Sequence, residues 1–186
     1  WAEIVKAYGL DATVLTAPET QTAIATVTAS DPDADTLTYA IAGGLDAGLF
    51  AIDSATGVLS FLAAPDFEAP GDADGDNVYQ LSVSVSDGTA PAVTQALSVT
   101  VTDVNETPAL TSAATASVAE NQTAALTVTG TDPDGDALTY AIAGGADAGL
   151  FSINAQTGVL AFLAAPDFEA PADANGDNVY QVTVST

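Results

Sequence analysis

Closely spaced acidic side chains are the residues of this sequence that could most readily do chemistry. They lie in four kinds of segment, D-P-D-x-D, D-F-E, D-A-(D/N)-G-D-N and D-V-N-E-T-P, of which the first three occur twice. The segments contain, in that order, Asp31, Asp33, Asp35, Asp132, Asp134 and Asp136; Asp66, Glu68, Asp167 and Glu169; Asp72, Asp74, Asp76, Asp173 and Asp177; and Asp103, Asn105 and Glu106. Two carboxylates at 4 Å repel each other by about 1 kcal/mol in water. The folded chain therefore needs a counter-ion at these segments, or the pKa values of these acids must rise.

The spacing of these acids favours Ca²⁺ as the counter-ion. Ca²⁺ takes about six to eight oxygen ligands from carboxylates, amides and backbone carbonyls in flexible geometry, whereas Mg²⁺ needs a tighter octahedron. The D-A-(D/N)-G-D-N loop has two interpretations, an additional calcium site or a solvated acidic turn. For the D-V-N-E-T-P segment, the ordered spacing favours a cation site over a salt-adapted acidic surface.

Composition excludes several classes of function. The chain has 186 residues with 25 acidic and one basic side chain, Lys6, and its formal net charge is −24. Nucleic acid and anionic membranes are not expected partners, because both require a basic surface. The absence of Cys and His removes thiol and imidazole catalysis, disulfides and the usual zinc sites. A carboxylate-pair glycosidase is conceivable, but the acids recur in each repeat, so we predict that the chain is not an enzyme.

An internal repeat divides the chain into two domains of the same kind. Residues 31–85 align without a gap to residues 132–186, and most aligned positions are identical. Period-two alternation between turn residues predicts strands near 12–17, 22–29, 36–42, 48–53, 57–62, 78–86 and 93–103 of the first repeat. Short strands at this spacing indicate an all-β antiparallel sandwich.

The second repeat reaches only Thr186, which aligns with Val85 of the first repeat. We therefore expect it to lack its last strand and to leave an unpaired sheet edge. The absence of Met indicates a processed product or a fragment. No apolar run of the length of a signal peptide or membrane span occurs, and no membrane insertion is expected.

Other side chains are assigned to structure and not to ligand binding. Tyr39, Phe50, Phe61 and Tyr79 alternate inward on their predicted strands, and they and their counterparts in the second repeat are expected in the cores. Asp46 and Asp147 lie in G-G-x-D-A-G segments and are interpreted as turn residues. Trp1 lies in a segment without a second copy and receives no assignment.

Several ordered motifs resemble a bacterial cadherin-like repeat. They are A-E-N at 119–121, D-P-D at 132–134, L-T-Y at 138–140, F-x-I-N-x-x-T-G-x-L at 151–160, D-F-E at 167–169 and D-x-N-E-x-P at 103–108. The resemblance implies tandem seven-stranded Greek-key sandwiches of the cadherin and immunoglobulin type. The implied organisation is an N-terminal segment at 1–11, a repeat at 12–103, a calcium-binding linker at 104–108 and a second, C-terminally incomplete repeat at 109–186.

The same resemblance implies calcium ions shared by the base of one repeat, the linker and the top of the next. The implied ligands are Glu19, Asp66 and Glu68 at the base; Asp103, Asn105, Glu106 and Thr107 in the linker; and Asp132, Asp134 and Asp136 at the top. The corresponding positions in the other copy are Asp31, Asp33, Asp35, Glu120, Asp167 and Glu169, and Asp87 is the family's late acid at the end of the sixth strand of the first repeat. The linker departs from the family pattern D-x-N-D-N at Glu106 and Thr107.

The function implied is a calcium-rigidified structural or adhesive module of a bacterial surface protein, matrix component or filament. Its location would be extracellular or at the cell surface. The expected partners are other repeats of the same protein, neighbouring subunits that could donate a strand to the open edge, and glycans or cell-surface proteins. The alternative is a calcium-dependent carbohydrate-binding module, which would need an exposed aromatic platform.

Overall fold

A computed structural model describes residues 14–186 of the chain. The predicted N-terminal segment at 1–11, the unassigned Trp1 and the first two residues of the predicted strand at 12–17 lie outside the described residues. The chain divides into two compact units, unit 1 through Val104 and unit 2 from Asn105.

Unit 1 consists of two β-sheets, which together contain all seven strands predicted for the first repeat. The strands are β1 (Val14–Pro18), β2 (Ala23–Thr26), β3 (Thr38–Gly43), β4 (Phe50–Ile52), β5 (Val58–Phe61), β6 (Val78–Ser86) and β7 (Val93–Thr102). One sheet has the order β1-β7-β6-β3 and the other the order β2-β5-β4. All neighbours are antiparallel except β1 and β7, which are parallel. The fold is the expected β-sandwich.

The predicted strand at 48–53 begins later than expected. Ala47–Leu49 forms a 3-10 turn, and β4 begins at Phe50. The turn is closed by the N–H of Leu49, which donates to the carbonyl of Asp46 at 2.9 Å. The turn depends on a local backbone hydrogen bond, which leaves no mark in the alternation of apolar and polar residues. The period-two pattern of the sequence therefore did not reveal it.

The core of unit 1 lies where the alternating strands β6 and β7 face β4 and β5. Tyr79, Leu81, Val83 and Val85 of β6 are buried, and every second residue between them is partly or fully exposed. This is the pattern of a sheet with one face against the core. The predicted core residues Phe50, Phe61 and Tyr79 are buried and pack as an aromatic cluster. Tyr39 is only half-buried at the edge of that cluster.

Unit 2 repeats most of this arrangement. Its strands are β8 (Ala109–Leu110), β9 (Ala124–Thr127), β10 (Gly130–Thr131), β11 (Ala141–Gly144), β12 (Phe151–Ile153), β13 (Val159–Phe162) and β14 (Thr183–Ser185). The sheet β9-β13-β12 corresponds to β2-β5-β4, and the pair β11-β14 corresponds to β3-β6. A second 3-10 turn, Ala148–Leu150, precedes β12. Phe151 and Phe162 are buried as expected, whereas Tyr140 and Tyr180 are half-buried.

Unit 2 has no counterpart of β7 among the described residues, in agreement with the predicted missing strand. Residues 115–119, which align with β1, therefore have no β7-like partner and are not in a strand. An open groove of about 490 Å³ lies beside them, lined by Phe151, Phe162 and Tyr180 among others. Phe168 is 64% exposed, whereas Phe67, its counterpart in unit 1, packs against the core.

Candidate metal centres

Glu19 is the carboxylate around which the candidate centre of unit 1 is built. It follows β1 directly and is fully buried. Its two carboxylate oxygens accept hydrogen bonds from the backbone N–H of Phe67 and of Val104, each at 2.8 Å. Burying an ionised carboxylate is costly unless it is paired and hydrogen-bonded. The two hydrogen bonds offset part of the cost of burying the Glu19 charge. They also connect the D-F-E segment and the C-terminal end of unit 1 to the same side chain.

Glu68 and Asp103 bring two more carboxylates to Glu19. One ligand oxygen of each of the three lies within 4.8 Å of the others. Among residues 14–186 no basic side chain occurs, since Lys6 lies outside them. Three like charges this close are strongly favourable only around a cation. Glu19, Glu68 and Asp103, which the family resemblance implies as ligands, lie together, and their role as ligands stays a prediction.

Asp66 closes a backbone turn in the D-F-E segment and stays a predicted ligand. Its Oδ1 accepts the backbone N–H of Ala69 at 2.9 Å, and it is not one of the gathered carboxylates of unit 1. Asp residues commonly close turns in this way. Asp66 therefore shapes the D-F-E turn that presents Glu68.

The D-P-D-x-D segment of unit 2 holds the linker through Asp134. Its Oδ2 accepts the backbone N–H of Glu106 at 2.7 Å. Its Oδ1 is buried and has no hydrogen-bond partner among the described residues. An unpartnered buried carboxylate oxygen is expensive in a folded protein, and a cation ligated by that oxygen would remove the cost. Asn105 donates its Nδ2 to the carbonyl of Glu106 at 3.0 Å.

Unit 2 gathers a second group of carboxylates at the positions that align with the base of unit 1. Glu120, Asp167 and Glu169 each offer an oxygen within 4.8 Å of the others, and all three are exposed. Glu120 accepts a single hydrogen bond, from the backbone N–H of Phe168 at 3.1 Å. This group can bind a cation, but it is more solvated than the group around Glu19.

The acidic loop of unit 1, residues 72–77, gathers Asp72, Asp74 and Asp76 within 4.8 Å. Asp72 is buried and accepts the N–H of Asp76 at 2.9 Å and of Asn77 at 3.2 Å. Burial opposes its ionisation, but the N–H of Asp76 and further donors hold its pKa below the ordinary value. A hydrogen bond shared with the Asp72 carboxyl, followed by burial and the charge of Asp76, raises the pKa of Asp74. A bound cation would relieve this repulsion.

Asp46 anchors the acidic loop to the sheet, a role that the turn pattern around it does not predict. It is buried, and its two oxygens accept the N–H of Ala73 at 2.8 Å and of Gln80 at 2.7 Å. Asp147 does the same in unit 2 with Ala174 and Gln181, both at 2.7 Å. These residues are structural, as predicted, but they act across the fold and not only within a turn. Their recurrence in the same G-G-x-D-A-G segment of both repeats was the available signal in the sequence.

The remaining predicted ligands organise backbone turns. Asp31 accepts the N–H of Asp33 at 2.8 Å and of Asp35 at 3.3 Å, and Asp132 accepts that of Asp136 at 3.2 Å. Asp87 accepts the N–H of Ala90 and of Thr89, which hold its pKa below the ordinary value. Within residues 14–186, none of these joins a group of three or more carboxylates. The carbonyl of Thr107 stays a predicted ligand.

Comparison with known protein families places both units. Residues 13–102 match the cadherin domain family, and residues 105–186 match a bacterial Ig domain family. The chain carries a cadherin-like tandem repeat. It is 34% identical over 152 residues to Protocadherin Fat 2 of Rattus norvegicus and 36% identical over 159 residues to Protocadherin-16 of Homo sapiens. These alignments cover 76% and 80% of this chain but only 3% and 5% of those proteins.

Solved cadherin structures share the fold of the cadherin-like repeat. A crystal structure of human Protocadherin-24 EC1-2 aligns with a TM-score of 0.59 at 22% identity and covers 94% of this chain and 90% of that one. Mouse Cadherin-23 EC22-24 aligns with a TM-score of 0.55 at 22% identity and covers 90% of this chain and 56% of that one. These structures support Greek-key sandwiches for both units. No helix among residues 14–186 is long and apolar enough to span a membrane.

Proposed function

We propose that this cadherin-like repeat is a calcium-rigidified, non-enzymatic module of an extracellular or surface-exposed bacterial protein, serving as an adhesive or structural element of a stalk, matrix or filament. Cadherin homologues are extracellular proteins, which supports this location. The match of residues 105–186 to a bacterial Ig domain supports the bacterial origin.

The gathering of Glu19, Glu68 and Asp103 is the observation that carries the proposal. Glu19 binds the N–H of Val104, and Asp134 binds the N–H of Glu106. Residues 104 and 106 are two peptide units apart, which span at most about 7 Å. Glu19 therefore holds the start of the linker within unit 1, and Asp134 holds its continuation within unit 2.

Calcium binding would convert this linker from a repulsive segment into a stiff one. Extracellular calcium modules have dissociation constants of about 10⁻⁴ to 10⁻³ M. At ten times that concentration each site adds roughly 1.4 kcal/mol to the free energy of unfolding. Several sites filled together make both the unfolding and the bending of the chain depend on calcium.

Calcium titration is the experiment that tests this function. We expect the melting temperature of the full chain to rise with calcium, and small-angle scattering to show a longer and less variable particle. Magnesium at the same concentration should have a smaller effect, because it gives up its waters reluctantly. A melting temperature and scattering profile that are the same in calcium and in chelator would refute the proposal.

The acidic loop of unit 1 is proposed as an additional calcium site. The natural second copy has Asn175 where unit 1 has Asp74, which makes Asp74→Asn a well-matched variant. We expect this variant to bind one calcium ion fewer, measured by titration calorimetry at equal protein concentration. Unchanged stoichiometry and affinity would instead identify the loop as a solvated acidic turn.

Neighbouring repeats or subunits are the proposed partners, and strand donation into the groove of unit 2 is one proposed mode of contact. In unit 1, Leu97, Val99 and Val101 of β7 fill the corresponding space. A peptide with the sequence of β7, residues 93–102, is therefore expected to protect the amides of residues 179–186 from hydrogen exchange. A peptide with Asp at the three apolar positions is the control, and equal protection by both would contradict specific strand addition.

Carbohydrate binding is the second candidate function. Among residues 14–186, Phe168 is the one aromatic side chain that is mostly exposed, and a single ring is a small platform for a sugar. We therefore propose glycans and cell-surface proteins only as binding partners of the complete adhesive module, and not as ligands of a dedicated sugar site. Glycan-array binding that survives substitution of Glu19 and Asp103 would favour this second function.

A further inference from the structure

The acidic loop of unit 2, residues 173–178, differs from the loop of unit 1 at one potential ligand. The two read D-A-N-G-D-N and D-A-D-G-D-N, so that Asn175 replaces Asp74. Asn175 is followed by Gly176, and every other asparagine of the chain is followed by a residue with a side chain. Asn175 and Gly176 are exposed, and the space beside the Gly176 Cα is open.

We propose that Asn175 is a deamidation site whose aspartate product reproduces in unit 2 the three-carboxylate loop of unit 1. The backbone nitrogen of Gly176 attacks Cγ of Asn175 and loses its proton, and the side-chain amide leaves as ammonia. The resulting five-membered succinimide is then opened by water at either carbonyl, which gives aspartate or isoaspartate. The net change is the loss of ammonia and the gain of water, and solvent water is the one co-reactant.

The glycine makes this step sterically accessible. Attack requires the backbone nitrogen of the following residue to approach a side-chain carbon, and a Cβ on that residue obstructs the approach. Glycine also reaches backbone conformations that other residues avoid. Gly176 has a φ of +72°.

Unit 1 shows that the loop accommodates the aspartate product without rearrangement. Asp72 and Asp173 accept hydrogen bonds from equivalent backbone N–H groups at the same distances, 2.9 Å and 3.2 Å. The glycine at the fourth loop position has a φ of +73° in unit 1 and +72° in unit 2. The backbone is therefore the same whether the third position is aspartate or asparagine.

Deamidation changes both the hydrogen bonds and the charge of the loop. The Nδ2 of Asn175 donates to Oδ2 of Asp177 at 2.9 Å, so the unmodified loop satisfies this carboxylate internally. In the aspartate product an oxygen replaces that donor, and the loop gains one negative charge. Two carboxylates then lie close together, as Asp74 and Asp76 do in unit 1.

The test is peptide mapping of the full chain by mass spectrometry during incubation at mildly alkaline pH. We expect the fragment with Asn175 to gain the mass difference of amide to acid at least about tenfold faster than the fragments with Asn105 and Asn121, which are also exposed. Isoaspartate methyltransferase should label the same fragment.

Two variants complete the test. Asn175→Gln should abolish the mass gain in that fragment, since its longer side chain would have to close a larger ring. Asn175→Asp should coelute with one modified species on anion exchange. Modification of Asn175 no faster than that of Asn105 and Asn121, or an equal mass gain in the Gln variant, would overturn the proposal. Neither readout depends on calcium, so the proposed function can fail while this inference stands.

Discussion

Gly44→Ala is expected to lower the melting temperature by roughly 10 to 30 °C, because the added Cβ would meet backbone that cannot move aside. It would lie 2.3 Å from Cα of Leu81 and 2.5 Å from the carbonyl oxygen of Gln80, both in β6. The φ of Gly44 is +117°, which non-glycine residues do not adopt without strain. Overpacking and backbone strain together cost about 3 to 5 kcal/mol.

Gly48→Ala is the matched control for this variant. Gly48 lies four residues further along in the 3-10 turn, is exposed, and would place a Cβ with no atom within 4 Å. We expect its melting temperature to stay near that of the wild type. Near-ultraviolet circular dichroism should report the loss of packing around Phe50, Phe61 and Tyr79 in Gly44→Ala alone. Equal melting temperatures for the two variants would show that β6 can shift to admit the methyl group.

Glu19→Gln is expected to remove most of the stabilisation that calcium provides. The substitution removes the charge that a cation requires and keeps a side chain of the same length. Glu19→Ala should cost a further 2 to 4 kcal/mol or so even in chelator, because the N–H groups of Phe67 and Val104 would lose their acceptor. Thermal unfolding of each variant in calcium and in chelator separates the two contributions.

Glu120→Gln provides the control, because the same residue in unit 2 has a different environment. Glu120 is exposed and accepts one hydrogen bond, whereas Glu19 is fully buried and accepts two. We expect the substitution at Glu120 to change the calcium-dependent shift in melting temperature much less. If Glu19→Gln retains the full shift, Glu19 supports the linker through hydrogen bonds only and is not a calcium ligand.

The fold could be predicted well because its signals are local and repeated. Period-two alternation marked β6 and β7, and the buried residues Tyr79, Leu81, Leu97 and Val99 lie on the expected face. The alignment of Thr186 with Val85 predicted the missing strand of unit 2. What alternation could not reveal was the turn at Ala47–Leu49, which depends on a hydrogen bond within an apolar stretch.

The sequence predicted which acidic segments form the candidate site, but not which acids of each segment lie together or what holds them in place. Motif resemblance identified Glu19, Glu68 and Asp103, because their spacing is fixed by the fold. It could not show that Glu68 without Asp66 joins the group of unit 1 while Asp167 and Glu169 both join the group of unit 2, because this depends on the conformation of the turn. The anchoring role of Asp46 was missed because its partners, Ala73 and Gln80, are distant in sequence and donate only backbone N–H groups.

Because Asp46 and Asp147 anchor the acidic loops through backbone groups, the position of each loop does not depend on which side chains it contains. Each holds its loop by backbone N–H groups, which every residue except proline possesses, so the side chains of the loop are free to vary. The change from Asp74 to Asn175 between the two units, with the backbone left in place, is an instance of that freedom. A protein built from many such units could therefore vary the charge of each loop along its length and retain the same sandwich throughout.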